Sequence, residues 1–181
     1  MVIEYREPTK TEIEIIRNSL LYWVDKEKLA QINEAHHFII GEGNWKEVFI
    51  TNSATMAIVM NRKNITPYST GLGIGEIKKN DLLLSLSGGY FISEYSDKKA
   101  IISPESEQLF LYMRDIHCKS IISINEELSI KDKVLIANSY NDYLGLGKIV
   151  IPISDFKNLD NEDEIAIKNI IDLGWYLRKG K

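Results

Sequence analysis

The sequence predicts an α+β chain in two parts. An N-terminal α/β domain with an antiparallel sheet and helices is expected over residues 1–95, and a small C-terminal β-barrel over residues 96–181. Three observations carry this. Apolar residues near the start recur at helical spacing, paired β-type runs follow, and beyond a polar, unpatterned stretch at 96–99 short strands alternate with turn signals about every ten residues.

Pro8 followed by Thr9 and Thr11 reads as a helix start, and Ile13, Ile16, Leu20 and Val24 then recur on one face. Residues 25–34 continue or follow that helix. The runs 37–40 and 48–50, split by Gly41-Glu42-Gly43-Asn44, predict a hairpin. Ser53 is the expected cap of a helix carrying Met56, Ile58, Val59 and Met60. A second hairpin is expected from 71–77 and 82–86 across Lys78-Lys79-Asn80-Asp81. Gly88-Gly89 interrupts it before a short helix with Tyr90, Phe91, Ile92 and Tyr95.

In the second part, 100–102 reads as a strand. Ser103-Pro104-Glu105 then opens a helix, with Ser as cap, Pro at the first helical position and acids where the helix dipole favours them. Four β-type runs follow at 120–124, 133–138, 144–151 and 165–171. Tyr176-Leu177-Arg178 extends the last or forms another edge.

An apolar fraction of 44% and a charged fraction of 27% over 181 residues suffice for a real core, so no disulfide or metal staple is required. The single cysteine, Cys118, forms no internal disulfide and fits a reducing, cytoplasmic setting. No signal peptide is expected, and no stretch approaches the ~20 apolar residues of a membrane span. The net charge of −4 argues against a broadly basic nucleic-acid face. Residues 96–181 hold 12 basic and 14 acidic residues, so any RNA surface is a local patch.

At Pro104-Glu105-Ser106-Glu107-Gln108-Leu109-Phe110-Leu111-Tyr112 the chain resembles the Pro-x-x-Glu-Gln-x-Phe-Leu-Tyr signature of the ribosome biogenesis factor nuclear import protein seven, in its archaeal form. The likeness extends to residues 8–20 and 48–60, to Asp142-Tyr143-Leu144-Gly145-Leu146-Gly147-Lys148, and to the closing Asp172-Leu173-Gly174-Trp175-Tyr176-Leu177-Arg178. It implies an N-terminal α/β domain followed by a PUA-type β pseudo-barrel. It also implies a two-domain factor without catalytic activity or cofactor, which binds U-rich or single-stranded pre-ribosomal RNA during large-subunit assembly. Basic residues near the C-terminus are implied as RNA contacts, here Arg178 and Lys179 with Lys181 as extension. Two departures stand out: Met113 where the family usually has Gly, and Trp175 where it has Glu.

Read physically, Arg178, Lys179 and Lys181 are a solvated basic tail or a phosphate clamp, and the resemblance favours the clamp. Lys148 on a neighbouring strand, with Lys119 and Arg114 near the helix end, would line the same groove. Trp175 beside Tyr176 either stacks on a base or fills the barrel. Other ribosome assembly proteins are expected to meet residues 1–95.

Other motifs fail chemically. Gly71-Leu72-Gly73-Ile74-Gly75 lacks the Lys-Ser/Thr of a phosphate loop and reads as a strand closely approached by another backbone. His36 and His37 point to opposite faces of a strand, so no metal site is expected. No Gly-x-Ser-x-Gly elbow appears. An RNA-modification component and a protein scaffold without RNA affinity are the competing readings.

Overall fold

The computed structural model describes residues 3–61, 67, 69–157 and 162–178, with the backbone alone at Lys157. The chain divides into two compact units, Met1–Tyr95 and Ser96–Lys181.

The first unit is an antiparallel sheet in simple sequence order: β1 (Glu4–Arg6), β2 (His37–Glu42), β3 (Lys46–Thr51), β4 (Leu72–Lys78) and β5 (Asp81–Leu84). Two helices, α1 (Lys10–Trp23) and α2 (Lys26–Ala35), come between β1 and β2. They are separate because Asp25 caps α2, its Oδ1 accepting the Lys28 N–H at 2.8 Å. α1 opens on a capping box. Thr9 Oγ1 accepts from the Glu12 N–H, and Glu12 Oε2 accepts from the Thr9 N–H at 2.9 Å. The apolar stripe of Ile16, Leu20 and Trp23 is buried. Ser19 ties the helix to β5, donating to Asp81 Oδ1 at 2.8 Å and accepting from the Leu82 N–H at 2.9 Å.

The Glu12 carboxylate is also a buried electrostatic centre. Arg6 forks onto it at 2.8 and 2.9 Å and Lys46 reaches it at 2.8 Å. The Arg6 hydrogen bonds, with help from Lys46 and Thr9, hold its pKa far below the usual carboxylate range despite burial.

Two expectations for this unit need correction. Asn52, not Ser53, caps α3 (Ser53–Asn61), because Asn52 Oδ1 accepts from the Thr55 N–H at 2.8 Å while Ser53 Oγ is engaged with His37 Nε2 at 2.9 Å. Gly88 and Gly89 do not break the chain; they lie inside α4 (Leu86–Ser93). That helix packs on β4 so closely that a Cβ at Gly88 would sit 1.9 Å from the Ile74 carbonyl oxygen.

The second unit is a six-stranded curled half-barrel. Its strands are β6 (Lys99–Ile102), β7 (Ile116–His117), β8 (Ile121–Ile124), β9 (Lys133–Ala137), β10 (Tyr143–Ile149) and β11 (Ile165–Asp172), in the order β7-β11-β10-β9-β6-β8. Only β6 and β9 pair in parallel; every other neighbouring pair is antiparallel. The core gathers Ala100, Ile102, Phe110, Ile116, Val134, Ile136, Leu144, Ile149 and Ile167. α5 (Pro104–Leu111) packs on β10 and β11. Ser103 stands at its N-cap position but makes no side-chain cap bond. Cys118 is buried, and desolvation raises its thiol pKa.

The tail expectation is also corrected. Tyr176, Leu177 and Arg178 form neither a strand nor an edge; they belong to a helical turn, α6 (Gly174–Arg178). Among the described residues no helix is long and apolar enough to cross a membrane.

Candidate nucleic-acid interface

The site grows from the way α5 ends. The Met113 N–H donates to the Phe110 carbonyl at 3.0 Å and the Arg114 N–H to the Leu109 carbonyl at 3.1 Å. These two bonds are the Schellman pattern, which places Met113 in the left-handed region, at φ 65°. Glycine is the usual residue there because a Cβ is crowded. The position that departs from the resembled family is therefore the one whose backbone favours its glycine.

The Phe110 and Leu111 carbonyls at the end of α5 also accept from β11 and α6. Asn169 Nδ2 donates to the Phe110 carbonyl at 2.9 Å and to Asp172 Oδ2 at 3.2 Å. Arg178 Nη1 donates to the Leu111 carbonyl and to Asp172 Oδ1 at 3.0 Å, and Nη2 donates to Asp172 Oδ2 at 3.2 Å. The Asn169 amide and the Arg178 guanidinium thus satisfy helix-end carbonyls and a buried carboxylate together. The packing requires Gly174, since a Cβ there would lie 1.8 Å from the Leu111 carbonyl oxygen.

This network holds α6 against Leu111, so the exposed residues 112–114 after α5 and Trp175 and Tyr176 on α6 flank one joint. Tyr112 is 64% exposed, Met113 66%, Tyr176 54% and Trp175 39%. Trp175 and Tyr176 meet edge to face, with ring centroids 5.2 Å apart and planes at 88°. Neither ring is part of the half-barrel core. Arg114 is exposed on the turn after Met113. Arg178 commits three of its five N–H donors to Asp172 and Leu111, which leaves Nε–H and one Nη2 hydrogen for a ligand. Stacking rings beside guanidinium groups are the chemistry of single-strand binding.

The other expected residues lie elsewhere. Lys119 sits on the 3₁₀ turn Cys118–Ser120 and pairs with Asp163 through Nζ and Oδ1. Each partner holds the other's charged form: the Lys119 pKa is raised and that of Asp163 lowered. Lys148 lies on β10, opposite Lys133 on β9 and Lys168 on β11. Lys179 and Lys181 lie outside the described residues. Asn169, which positions the site, escapes sequence reasoning because its partner Phe110 is 59 residues away. Asp172 had one signal, its place at the head of the closing motif.

A curled half-barrel with one helix set across β10 and β11, preceded by an antiparallel α+β unit, is the architecture of a PUA-domain protein. Residues 5–86 match the NIP7/UPF0113 pre-PUA domain and residues 98–181 the UPF0113 PUA domain, and the chain belongs to that family. A UPF0113 protein of Archaeoglobus fulgidus is 29% identical over 98% of this chain and 96% of its own. One of Aeropyrum pernix is 32% identical over 62% and 59%. In fold the chain is similar to a hypothetical protein of Pyrococcus horikoshii, with TM-score 0.66 and 13% identity over 93% of each chain. It is similar too to a conserved PUA domain protein of Thermoplasma acidophilum, with TM-score 0.60 and 12% identity over 94% of each. The domain and the family point to RNA binding rather than catalysis.

Proposed function

We propose that this protein is a non-catalytic, cytoplasmic assembly factor of the large ribosomal subunit that binds single-stranded, U-rich pre-ribosomal RNA through its PUA unit. The observation that carries the reading is the platform at the junction of α5 and α6. There Tyr112, Trp175 and Tyr176 offer exposed ring surface beside Arg114 and Arg178. Bases stack on the rings and phosphates meet the guanidinium groups. Lys179 and Lys181, which follow Arg178 in the sequence, add two further cations. The unit over residues 1–95 contacts protein partners or orients the PUA unit. Membership in the NIP7/UPF0113 family supports the reading.

One feature bears on the second reading, an RNA-modification component. The first unit has a cavity of about 350 Å³ lined by Glu47, Glu76, Phe49 and Ser85 among others. Its polar side chains among the described residues are the cross-strand pair Glu47 and Glu76, with Ser85. Ser85 Oγ donates to the Gly73 carbonyl at 2.7 Å and accepts from the Gly88 N–H at 3.0 Å, so it serves as the cap of α4.

Titration of a U-rich single-stranded oligonucleotide at two salt concentrations, wild type against Arg178→Ala/Lys179→Ala, tests the proposal. Binding that tightens at low salt and weakens in the double variant is the expected result. Absence of wild-type binding at low salt would sink it, and equal binding by the variant would move the site away from the tail.

A further inference from the structure

Two of the glycines in Gly71-Leu72-Gly73-Ile74-Gly75 are accounted for by neighbouring backbone. A Cβ would lie 2.2 Å from the Ile50 carbonyl oxygen at Gly71 and 2.1 Å from the Leu83 carbonyl oxygen at Gly75. Gly73 is different. A Cβ there would meet only the Phe49 ring, in ordinary contact at 3.4 Å, so packing within the unit does not demand glycine. Gly73 lines the cavity of about 350 Å³ over β3, β4 and β5, whose apolar walls are Phe49, Leu83 and Leu84. A glycine inside a strand often marks the close approach of a ligand or of another chain.

The charge on this cavity is negative. Glu47 on β3 and Glu76 on β4 are direct cross-strand partners and both are half-buried. Their side chains leave one face of the sheet with Cβ atoms about 5 Å apart. Phe49 shares that face of β3 and packs there with Val59 of α3. α3 itself packs on β1 and β2, and the cavity opens over β3 to β5. The outer neighbours in the cross-strand row are Gly41 on β2 and Leu83 on β5, so no cation stands in it. Lys46 turns to Glu12 at 2.8 Å, and Lys78 stands opposite Asp81. Among the described residues no ion pair joins Glu47 or Glu76 to a cation. Like charges placed directly opposite destabilise a sheet, and a cation held between them relieves the repulsion.

We infer that this cavity is a docking site for an arginine side chain on a basic segment of a partner protein. The walls of Phe49, Leu83 and Leu84 receive the aliphatic stem. The guanidinium carries five N–H donors in one plane and bridges the two carboxylates, which an ammonium does only as a point charge. Gly73 leaves the room that a side chain on β4 would fill. The same carboxylates repel a phosphate backbone, so the site takes protein and not nucleic acid. The inference rests on the reading that residues 1–95 contact protein partners, and gives that contact its chemistry.

The test follows the backbone amides of the isotope-labelled full chain by NMR at low salt. The probe is a blocked peptide with arginine between two leucines, set against the same peptide carrying citrulline, the uncharged isostere of arginine. Saturable shifts at Glu47, Gly73 and Glu76 are expected with arginine, and binding about tenfold weaker with citrulline. Glu47→Gln/Glu76→Gln removes the charge, and Gly73→Val fills the space while keeping both carboxylates. Each is expected to weaken the arginine peptide by about tenfold as well. Glu47→Lys supplies a cation from within the row. It is expected to abolish peptide binding and to raise the melting temperature by about 2 °C at low salt, a gain that fades at high salt. Equal binding of the two peptides, or no saturable shift with wild type at millimolar peptide, overturns the site and leaves the RNA reading standing. Binding unchanged in Gly73→Val reduces the effect to general attraction by acidic surface and also overturns it. A melting temperature unmoved by Glu47→Lys overturns the opposed-charge argument. A wild type that binds no RNA strikes the RNA reading and leaves this site in place.

Discussion

Arg178 forks onto Asp172, with Nη1 3.0 Å from Oδ1 and Nη2 3.2 Å from Oδ2, and the Asp172 side chain is 1% exposed. The pair is asymmetric, since the Arg178 side chain is 26% exposed. Removing the arginine strands a buried carboxylate, whereas removing the carboxylate leaves a cation that can turn to water. Arg178→Ala is expected to destabilise the PUA unit by about 3 kcal/mol and Asp172→Asn by roughly half as much. Urea denaturation of the two variants checks the order. Equal losses would contradict the burial argument.

The same pair shapes the RNA test. Because Arg178 holds α6 against Leu111, Arg178→Ala disturbs the platform as well as removing a cation. Arg178→Lys keeps the charge but not the two-pronged geometry. It is expected to retain the salt slope of RNA binding while losing about 1–2 kcal/mol of stability. Anisotropy across a salt series, paired with thermal melts, separates the two effects.

Trp175→Ala and Tyr112→Ala are each expected to weaken RNA binding by about 1–3 kcal/mol, with little change in salt slope. Neither ring is in the core cluster, so stability is expected to fall by less than about 1 kcal/mol. Losses of about 3–5 kcal/mol in stability would instead mark the rings as core.

Met113 holds φ 65° at the end of α5. Met113→Gly is expected to be neutral to stabilising by up to about 1 kcal/mol, since relief of backbone crowding is set against greater freedom of the unfolded chain. Met113→Val, with a branched Cβ, is expected to destabilise. Chemical denaturation of the three proteins reads the order Gly, Met, Val.

Glu12 gives the first unit a defined acid sensitivity. Its pKa is lowered on folding from an ordinary value of 4.5, chiefly by the Arg6 hydrogen bonds. The folded state therefore binds the proton less readily than the unfolded chain. Its stabilisation is complete above about pH 4.5 and is lost as pH falls below it. Glu12→Gln is expected to cost about 2 kcal/mol at neutral pH and to flatten this acid limb. Stability measured from pH 6 downward for both proteins checks the sign.

Much of the fold was legible in local chemistry. The helical stripe of Ile16 and Leu20 behind Thr9, the Pro104 helix start and the hairpin around Gly41-Glu42-Gly43-Asn44 all depend on residues a few positions apart. The α+β order and the Pro104 to Tyr112 signature follow from the same local reading. What failed was contextual. Gly88 and Gly89 look like breakers until β4 is seen to approach their helix within Cβ distance. Tyr176-Leu177-Arg178 has a strand-like composition, yet it turns helical because Gly174 sits against Leu111 and Arg178 closes onto Asp172.

The candidate site divides the same way. From the sequence came Arg178 and Lys148 as cations of one groove, with Trp175 as a stacking candidate. Only the tertiary structure turned Arg178 into the strut of the platform, brought Trp175 and Tyr176 out of the core, and set Lys148 between Lys133 and Lys168. The reason is the range of the interactions: caps and periodicity act over three or four residues, whereas the contact of Arg178 with Leu111 joins segments 67 residues apart in sequence.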